Sequence, residues 1–240
     1  MRYKVLIIEN AAGEGPGILQ DILSNRGWSI QNIQLHRGKT IPTNWQVFNL
    51  LIIMGGPMNV YEEDKYPYLR EETILLRDAL NRAIPVLGFC LGSQLMAKAC
   101  GSKVFKGHIK EIGWYSVSLT EDGKKDPLLR GLPEEFPVFQ WHGDTFQIPE
   151  NGIGLIKSDQ YPNQSMRIGE MAYGFQFHFE ITQKMIEDWL QAGKKEIKAL
   201  NLTGLHEKVL KDSSYYLPKT HAVAEIFLNN YLDQIEKRNN

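Results

Sequence analysis

Apolar positions along this chain fall into two textures. From residue 4 to about residue 100, short apolar runs alternate with stretches where apolar residues recur every three or four positions among charges. Lys4–Ile8 is an apolar run of strand length, and Ile18–Asn25 has helical spacing that stops at Gly27. Ser29–Leu35 and Leu50–Met54 read as further strands, the second with the β-branched pair Ile52 and Ile53. Pro67–Asn81 spaces Leu69, Leu76 and Leu80 as one face of a helix. Pro85–Gly88 is a fourth strand, and a helical pattern follows it to Cys100. This alternation predicts an α/β fold, a mostly parallel open sheet with helices on both faces, flavodoxin-like in layout.

After Lys103 the texture changes to short strands and turns. Gly113–Leu119, Val138–Gln140, Gly154–Ser158, Met166–Ile168 and Ala172–Phe177 predict a small antiparallel region grafted onto the parallel sheet. Helical spacing returns at Thr182–Ala192 and near His221–Ile235. No repeat, linker or low-complexity tract interrupts the pattern. A single domain over residues 1–240 is expected, with a core at about 4–190 and a C-terminal helical extension at about 191–240. A chain of 240 residues suffices for a full α/β core.

Charge and cysteine content narrow the class. Lysine and arginine number 27 against 28 acidic residues, a net charge of −1, so no global field attracts nucleic acid or an anionic membrane. The start MRYKVLIIE runs directly into a strand, and no stretch approaches the roughly 20 apolar residues of a membrane helix. Two cysteines imply a reducing compartment, and a soluble cytoplasmic protein is expected. Cys100 reads as a small core residue. The six histidines are scattered without zinc-ligand spacing, so no metal is expected, and His36, His206 and His221 read as solvated surface residues. AGEGPG at 12–17 lies between a strand and a helix but lacks the G-x-G-x-x-G spacing. His36 and Arg37 stand where an acidic residue would close the second strand. With no P-loop ending either, the segment reads as a flexible loop with Pro16 near a helix start, and no cofactor is expected.

Two segments carry chemistry. Val86–Leu95 reads VLGFCLGSQL, an apolar run, a Cys between two glycine-flanked positions, and a helix start. This is the pattern of a nucleophile elbow, in which Gly88 and Gly92 permit a tight turn and the helix N-terminus favours the Cys90 thiolate. Tyr173–Glu180 reads YGFQFHFE, whose period of two predicts a strand with His178 and Glu180 on one face. A carboxylate there would fix the tautomer of His178, so Cys90, His178 and Glu180 form a candidate triad of nucleophile, base and orienting group.

These residues resemble the class I, triad-type glutamine amidotransferases, and in particular the amidotransferase domain of GMP synthase. Four ordered segments carry the resemblance over about residues 4–190: LIIMGGP at 51–57, GFCLGSQL at 88–95, WHGD at 141–144 and GFQFHFE at 174–180. One position departs from the family pattern, Phe179 standing where Pro is usual. The resemblance implies that Cys90 attacks the γ-carboxamide of glutamine, with no cofactor. Leu91, at the start of the elbow helix, supplies one backbone oxyanion donor by its position, and Gly56 supplies the other by resemblance. Gln94, one helical turn past Cys90, can hydrogen-bond the substrate. Trp141, His142, Gly143 and Asp144 match a family loop that grips the α-amino and α-carboxylate groups through backbone atoms, with His142 structural rather than catalytic.

GMP synthases carry an ATP-pyrophosphatase domain with an SGGxDS-type loop, and no such loop occurs here. Three functions stay open: a stand-alone glutamine amidotransferase or glutaminase, with or without a separate synthetase subunit as partner; a γ-glutamyl peptidase-like hydrolase; and a non-catalytic glutamine-sensing subunit. An intact Cys–His–Glu set argues against the last.

Overall fold

In the computed structural model, which describes residues 3–238, the apolar run KVLIIE forms strand β1 (Lys4–Glu9) at the heart of the sheet. Met1, Arg2 and the last two residues of the expected domain lie outside the described residues. β1 pairs in parallel with β2 (Ser29–Gln34) and β3 (Leu50–Ile53). β3 then pairs with β4 (Val86–Phe89), and β4 with β9 (Ala172–Phe175), also in parallel. Val5 to Ile8 and Leu50 to Ile53 are buried on both faces of the sheet, as strands covered by helices on each side must be.

Alternate residues divide these strands between two cores. Leu6, Ile8, Leu51 and Ile53 pack with Leu69 and Leu76 of α2 (Tyr68–Asn81) and Leu95 and Met96 of α3 (Leu91–Ala99). Val5, Ile7, Leu50 and Ile52 pack with Leu19 and Leu23 of α1 (Leu19–Asn25) and with the C-terminal helix. Helices on both faces thus follow from the period of two in strands whose every residue is apolar.

Beyond β9 the sheet continues in antiparallel ladders through β8 (Ser165–Ile168), β7 (Gly152–Lys157), β5 (Val104–Leu119) and β6 (Glu135–Phe146). Among the described residues this makes one nine-stranded mixed sheet in the order β2-β1-β3-β4-β9-β8-β7-β5-β6. A short helix α4 (Glu121–Lys125) is capped by Thr120, whose hydroxyl accepts from Gly123 N at 2.9 Å. The chain ends in α5 (Gln183–Ala192), α6 (Lys194–Ala199) and α7 (Leu205–Arg238).

Several elements differ from their expected bounds. β5 and β6 are 16 and 12 residues long because polar residues such as Glu111, Gln140 and His142 continue the ladder and are buried within it. WHGD therefore lies in a strand, β6, rather than in a loop. β9 ends at Phe175, not at Phe177 or Glu180; after it a single bridge joins His178 to Phe139, with His178 N donating to Phe139 O at 2.8 Å. α7 begins at Leu205, well before His221, and runs through Pro218, a residue that removes one backbone donor from a helix. His221 is not solvated, since it donates from Nε2 to Ile181 O at 2.8 Å, and His36 and His206 are half-buried.

The C-terminal helix belongs to the main core. Val223, Ala224, Phe227, Leu228, Tyr231, Leu232 and Ile235 pack in the same cluster as β1, β3, β4 and β9. Phe179 joins them, with its ring centroid 5.3 Å from Phe89, 4.8 Å from Phe175 and 5.7 Å from Phe227.

Candidate active site

The centre of the site is the turn between β4 and α3. Cys90 has φ +47° and ψ −104°, a conformation L-residues rarely adopt and one that costs of order 1–3 kcal/mol. It is held by a hydrogen bond from Cys90 N to Phe175 O at 2.7 Å and by Ser93 Oγ donating to Cys90 O at 2.7 Å. The flanking glycines let strand and helix meet. A Cβ on Gly92 would overlap the carbonyl oxygen of Ile53, and one on Gly88 would lie 2.7 Å from the carbonyl carbon of Gly92. Cys90 is left 6 % exposed, at the N-terminus of α3 and on the floor of a cavity.

His178 and Glu180 approach from the segment after β9. His178 Nδ1 lies 2.7 Å from Glu180 Oε1, and both side chains are buried. A carboxylate only accepts, so Nδ1 carries the proton and the opposite ring edge is left for Cys90, whose charge the ring feels. Burial pushes the His178 pKa down, but the Glu180 and Cys90 charges and hydrogen bonds outweigh it and hold the ring well above its usual range. The ring also packs edge-on against Trp189, at a centroid distance of 4.7 Å.

The other expected residues gather around this centre. Gly56 lines the cavity, and a Cβ there would come 2.9 Å from Leu91 Cδ2 and 3.3 Å from Asn10 Cβ, so the GGP loop and the start of α3 are in contact. Gln94 Nε2 donates to Asp144 O and to Gln176 Oε1, both at 3.2 Å, and so ties α3 to β6. Trp141 presents its carbonyl oxygen 3.8 Å from Cys90 Sγ, while its indole Nε1 donates to Glu196 Oε2. His142 is buried, with Nε2 2.9 Å from Glu111 Oε2 and Nδ1 2.9 Å from Asp144 O, which is a structural setting. Gly143 and Asp144 line the cavity wall beside Lys110.

Two residues of the site escaped the sequence reading. Gln176 donates from Nε2 to Cys90 Sγ at 3.6 Å; its place two residues before His178, with the same parity, was the available signal. Glu14 lies in the AGEGPG segment, which is pinned rather than loose. Trp189 Nε1 donates to Gly13 O at 2.9 Å, and Ile18 N to Glu180 O at 3.0 Å. Burial pushes the Glu14 carboxyl up to about 7, against the opposing pull of His178 and with a further push from Glu180. Nothing in the local sequence marks this, because Glu14 reaches the site only through the tertiary packing of its loop.

The cavity above Cys90 has a volume of about 920 Å³. One wall comes from β5 and β6, and another from α5 and α6 through Trp189, Gly193, Lys195 and Glu196. Among the described residues no cluster of three or more His, Cys, Asp or Glu is arranged to hold a metal ion. Among them, too, no helix is long and apolar enough to cross a membrane.

The parallel half of the mixed sheet thus carries a cysteine at a strand-to-helix turn, with a His–carboxylate pair beside it. The family model for glutamine amidotransferase class-I matches residues 19–191, and the chain belongs to this family. It is 32 % identical over 197 residues to the glutamine amidotransferase-like protein YfeJ of Salmonella typhimurium, covering 81 % of this chain and 82 % of that one. It is 35 % identical over 134 residues to a glutamine-hydrolysing GMP synthase of Thermosipho melanesiensis, but spans only 24 % of that longer protein. The crystal structure of a glutamine amidotransferase from Thermotoga maritima superposes with a TM-score of 0.87 at 32 % identity, over 96 % of this chain and 98 % of the other.

Proposed function

We propose that this protein hydrolyses the γ-carboxamide of glutamine, or of a γ-glutamyl compound, through a Cys90 thioester. Cys90 Sγ gives its proton to His178 and attacks the carbonyl carbon of the γ-carboxamide; Glu180 holds the imidazole and stabilises its charge. The oxyanion is met by backbone N–H groups of Leu91 and Gly56 in this reading, with Gln94, Trp141, His142, Gly143 and Asp144 shaping the pocket for the α-amino and α-carboxylate groups. The C–N bond breaks as His178 returns the proton to the departing nitrogen, and water then cleaves the thioester to glutamate. The observation that carries the reading is the 2.7 Å Nδ1–Oε1 pair of His178 and Glu180 beside a cysteine held at positive φ.

The test is direct. Diazo-oxo-norleucine, a glutamine-like electrophile, should label Cys90 and spare Cys100, and Cys90→Ala should end ammonia release from glutamine. Equal labelling of both thiols, or an active Cys90→Ala enzyme, would overturn the assignment.

A second reading, a γ-glutamyl hydrolase acting without a partner, is favoured by one feature. α5 and α6 wall the cavity through Trp189, Lys195 and Glu196, so part of the pocket is built from this chain's own C-terminal segment. A separate synthetase subunit as consumer of ammonia is the alternative. Turnover of γ-glutamyl peptides by the purified chain, unchanged by ATP, supports the self-sufficient form; negligible turnover on every amide supports the partner-gated one.

A further inference from the structure

Beside Cys90 and His178 the cavity holds an ionisable group that has no part in the chemistry above. Glu14 sits on the loop between β1 and α1 and lines the cavity with Cys90 and His178. No protein donor among the described residues engages its carboxylate, although Arg, Lys and backbone donors satisfy many other carboxylates of this chain. Gly55 locates it. A Cβ built on Gly55 would overlap Glu14 Oε2, lie 3.1 Å from His178 Cε1 and 3.7 Å from Cys90 Cβ. Base, nucleophile and Glu14 thus converge on one face of Gly55, and any side chain at that position would displace the carboxylate.

The loop is built to keep Glu14 there. Trp189, whose ring rests on His178, fixes Gly13 through its indole N–H. Glu14 N donates to Ala11 O at 3.3 Å. Gly17, at φ +52°, lets the chain pass so close to Glu180 that a Cβ would overlap its carbonyl oxygen. The segment that holds the carboxylate is therefore tied at one end to Trp189 of α5, which packs on the base, and at the other to Glu180 beside it.

Resting on the amide-hydrolase reading above, we infer that Glu14 is a further catalytic residue, which accepts a hydrogen bond from the N–H of the departing nitrogen. His178 Nδ1 is committed to Glu180, so the ring edge that returns the proton faces Cys90, and Cε1 beside it points to the Glu14 side of Gly55. A leaving nitrogen poised to take that proton has its own N–H bonds free, and an unpartnered carboxylate is the acceptor they meet. In the acylation step the S–C bond forms, the C–N bond breaks and the thiol proton reaches nitrogen through His178. Glu14 gives up and gains no proton; it orients the nitrogen lone pair toward the imidazole. The leaving groups so favoured are ammonia and primary amines rather than alcohols.

The experiment compares glutamine with γ-glutamyl methyl ester, whose leaving group has no N–H but which forms the same acyl-enzyme. For both substrates kcat/KM reports the acylation step. Glu14→Ala should lower kcat/KM on glutamine by about 10- to 100-fold, the scale of one hydrogen bond to a charged group, and leave the ester within about 3-fold. Glu14→Gln, which keeps an acceptor oxygen, should recover part of the loss on glutamine. Equal losses on both substrates would assign Glu14 a structural role and overturn the inference, as would no loss on either. If the unaltered protein turns over the ester through Cys90 but not glutamine, the hydrolase reading stands for esters and Glu14 has no amide role. If it turns over neither, both readings fall together.

Discussion

His178 and Glu180 meet at 2.7 Å although the strand that leads to them stops at Phe175. Their pairing is kept by one backbone bridge, from His178 N to Phe139 O, and by Ile18 N donating to Glu180 O. Glu180 therefore makes two separate contacts, holding the His178 ring by its side chain and anchoring the β1–α1 loop by its backbone. Replacing only the carboxylate separates them. Glu180→Gln should retain the fold and lose about 10²- to 10⁴-fold in kcat, because an amide no longer enforces the working tautomer of the imidazole. Steady-state ammonia release together with an unchanged circular dichroism spectrum checks this.

Cys90 carries backbone strain within the fold. Its φ of +47° suits glycine and strains every other residue. Cys90→Gly should therefore be more stable than Cys90→Ala by about 1 kcal/mol or more, both being inactive. Urea unfolding of the two variants measures the difference, and equal midpoints would contradict a strained elbow.

Glu72 of α2 is fully buried near Asn10, whose amide donates to Met54 O at 3.2 Å. Burial pushes its carboxyl up to about 8, against a smaller pull from the Asn10 side chain. The folded pKa stands above the unfolded one, so the unfolded chain releases this proton more readily. Stability is consequently lost as pH rises from about 4.5 toward 8, and the loss then levels off. Glu72→Gln keeps the shape without the ionisation. Its melting temperature relative to the parent should rise between pH 5 and pH 8 in thermal melts, whereas a constant difference would place the ionised carboxylate in the fold.

Phe179 stands where the family pattern has Pro, and its ring turns away from the cavity into the core shared by Phe89, Phe175 and Phe227. Phe179→Ala should cost about 3–5 kcal/mol in urea unfolding, as truncating a buried aromatic does, with KM for glutamine unchanged. A large rise in KM at normal stability would instead give Phe179 a place in substrate recognition.

Much of this site is local enough to be legible in the amino-acid order alone. The strand–Gly–Phe–Cys–Leu–Gly–helix run is legible as an elbow because Gly88 and Gly92 are neighbours of Cys90 in the chain, although Gly92 also packs on the Ile53 carbonyl of β3. The alternation of apolar runs and amphipathic stretches specifies the parallel half of the sheet for the same reason, since each strand's burial follows from its own composition. Only the tertiary structure decided what depends on partners distant in sequence. β5 and β6 extend through polar residues because Glu111, His142 and Gln164 satisfy one another across the sheet, which no single segment reveals. α7 runs through Pro218 because its face from Val223 to Ile235 is buried against four strands, and that burial outweighs a local helix breaker. Glu14 reaches the cavity beside Cys90 because Trp189 and Glu180, distant in the chain, hold its loop in place. Short-range order is written in neighbouring residues; a site assembled from both ends of a chain exists only once the sheet has brought those ends together.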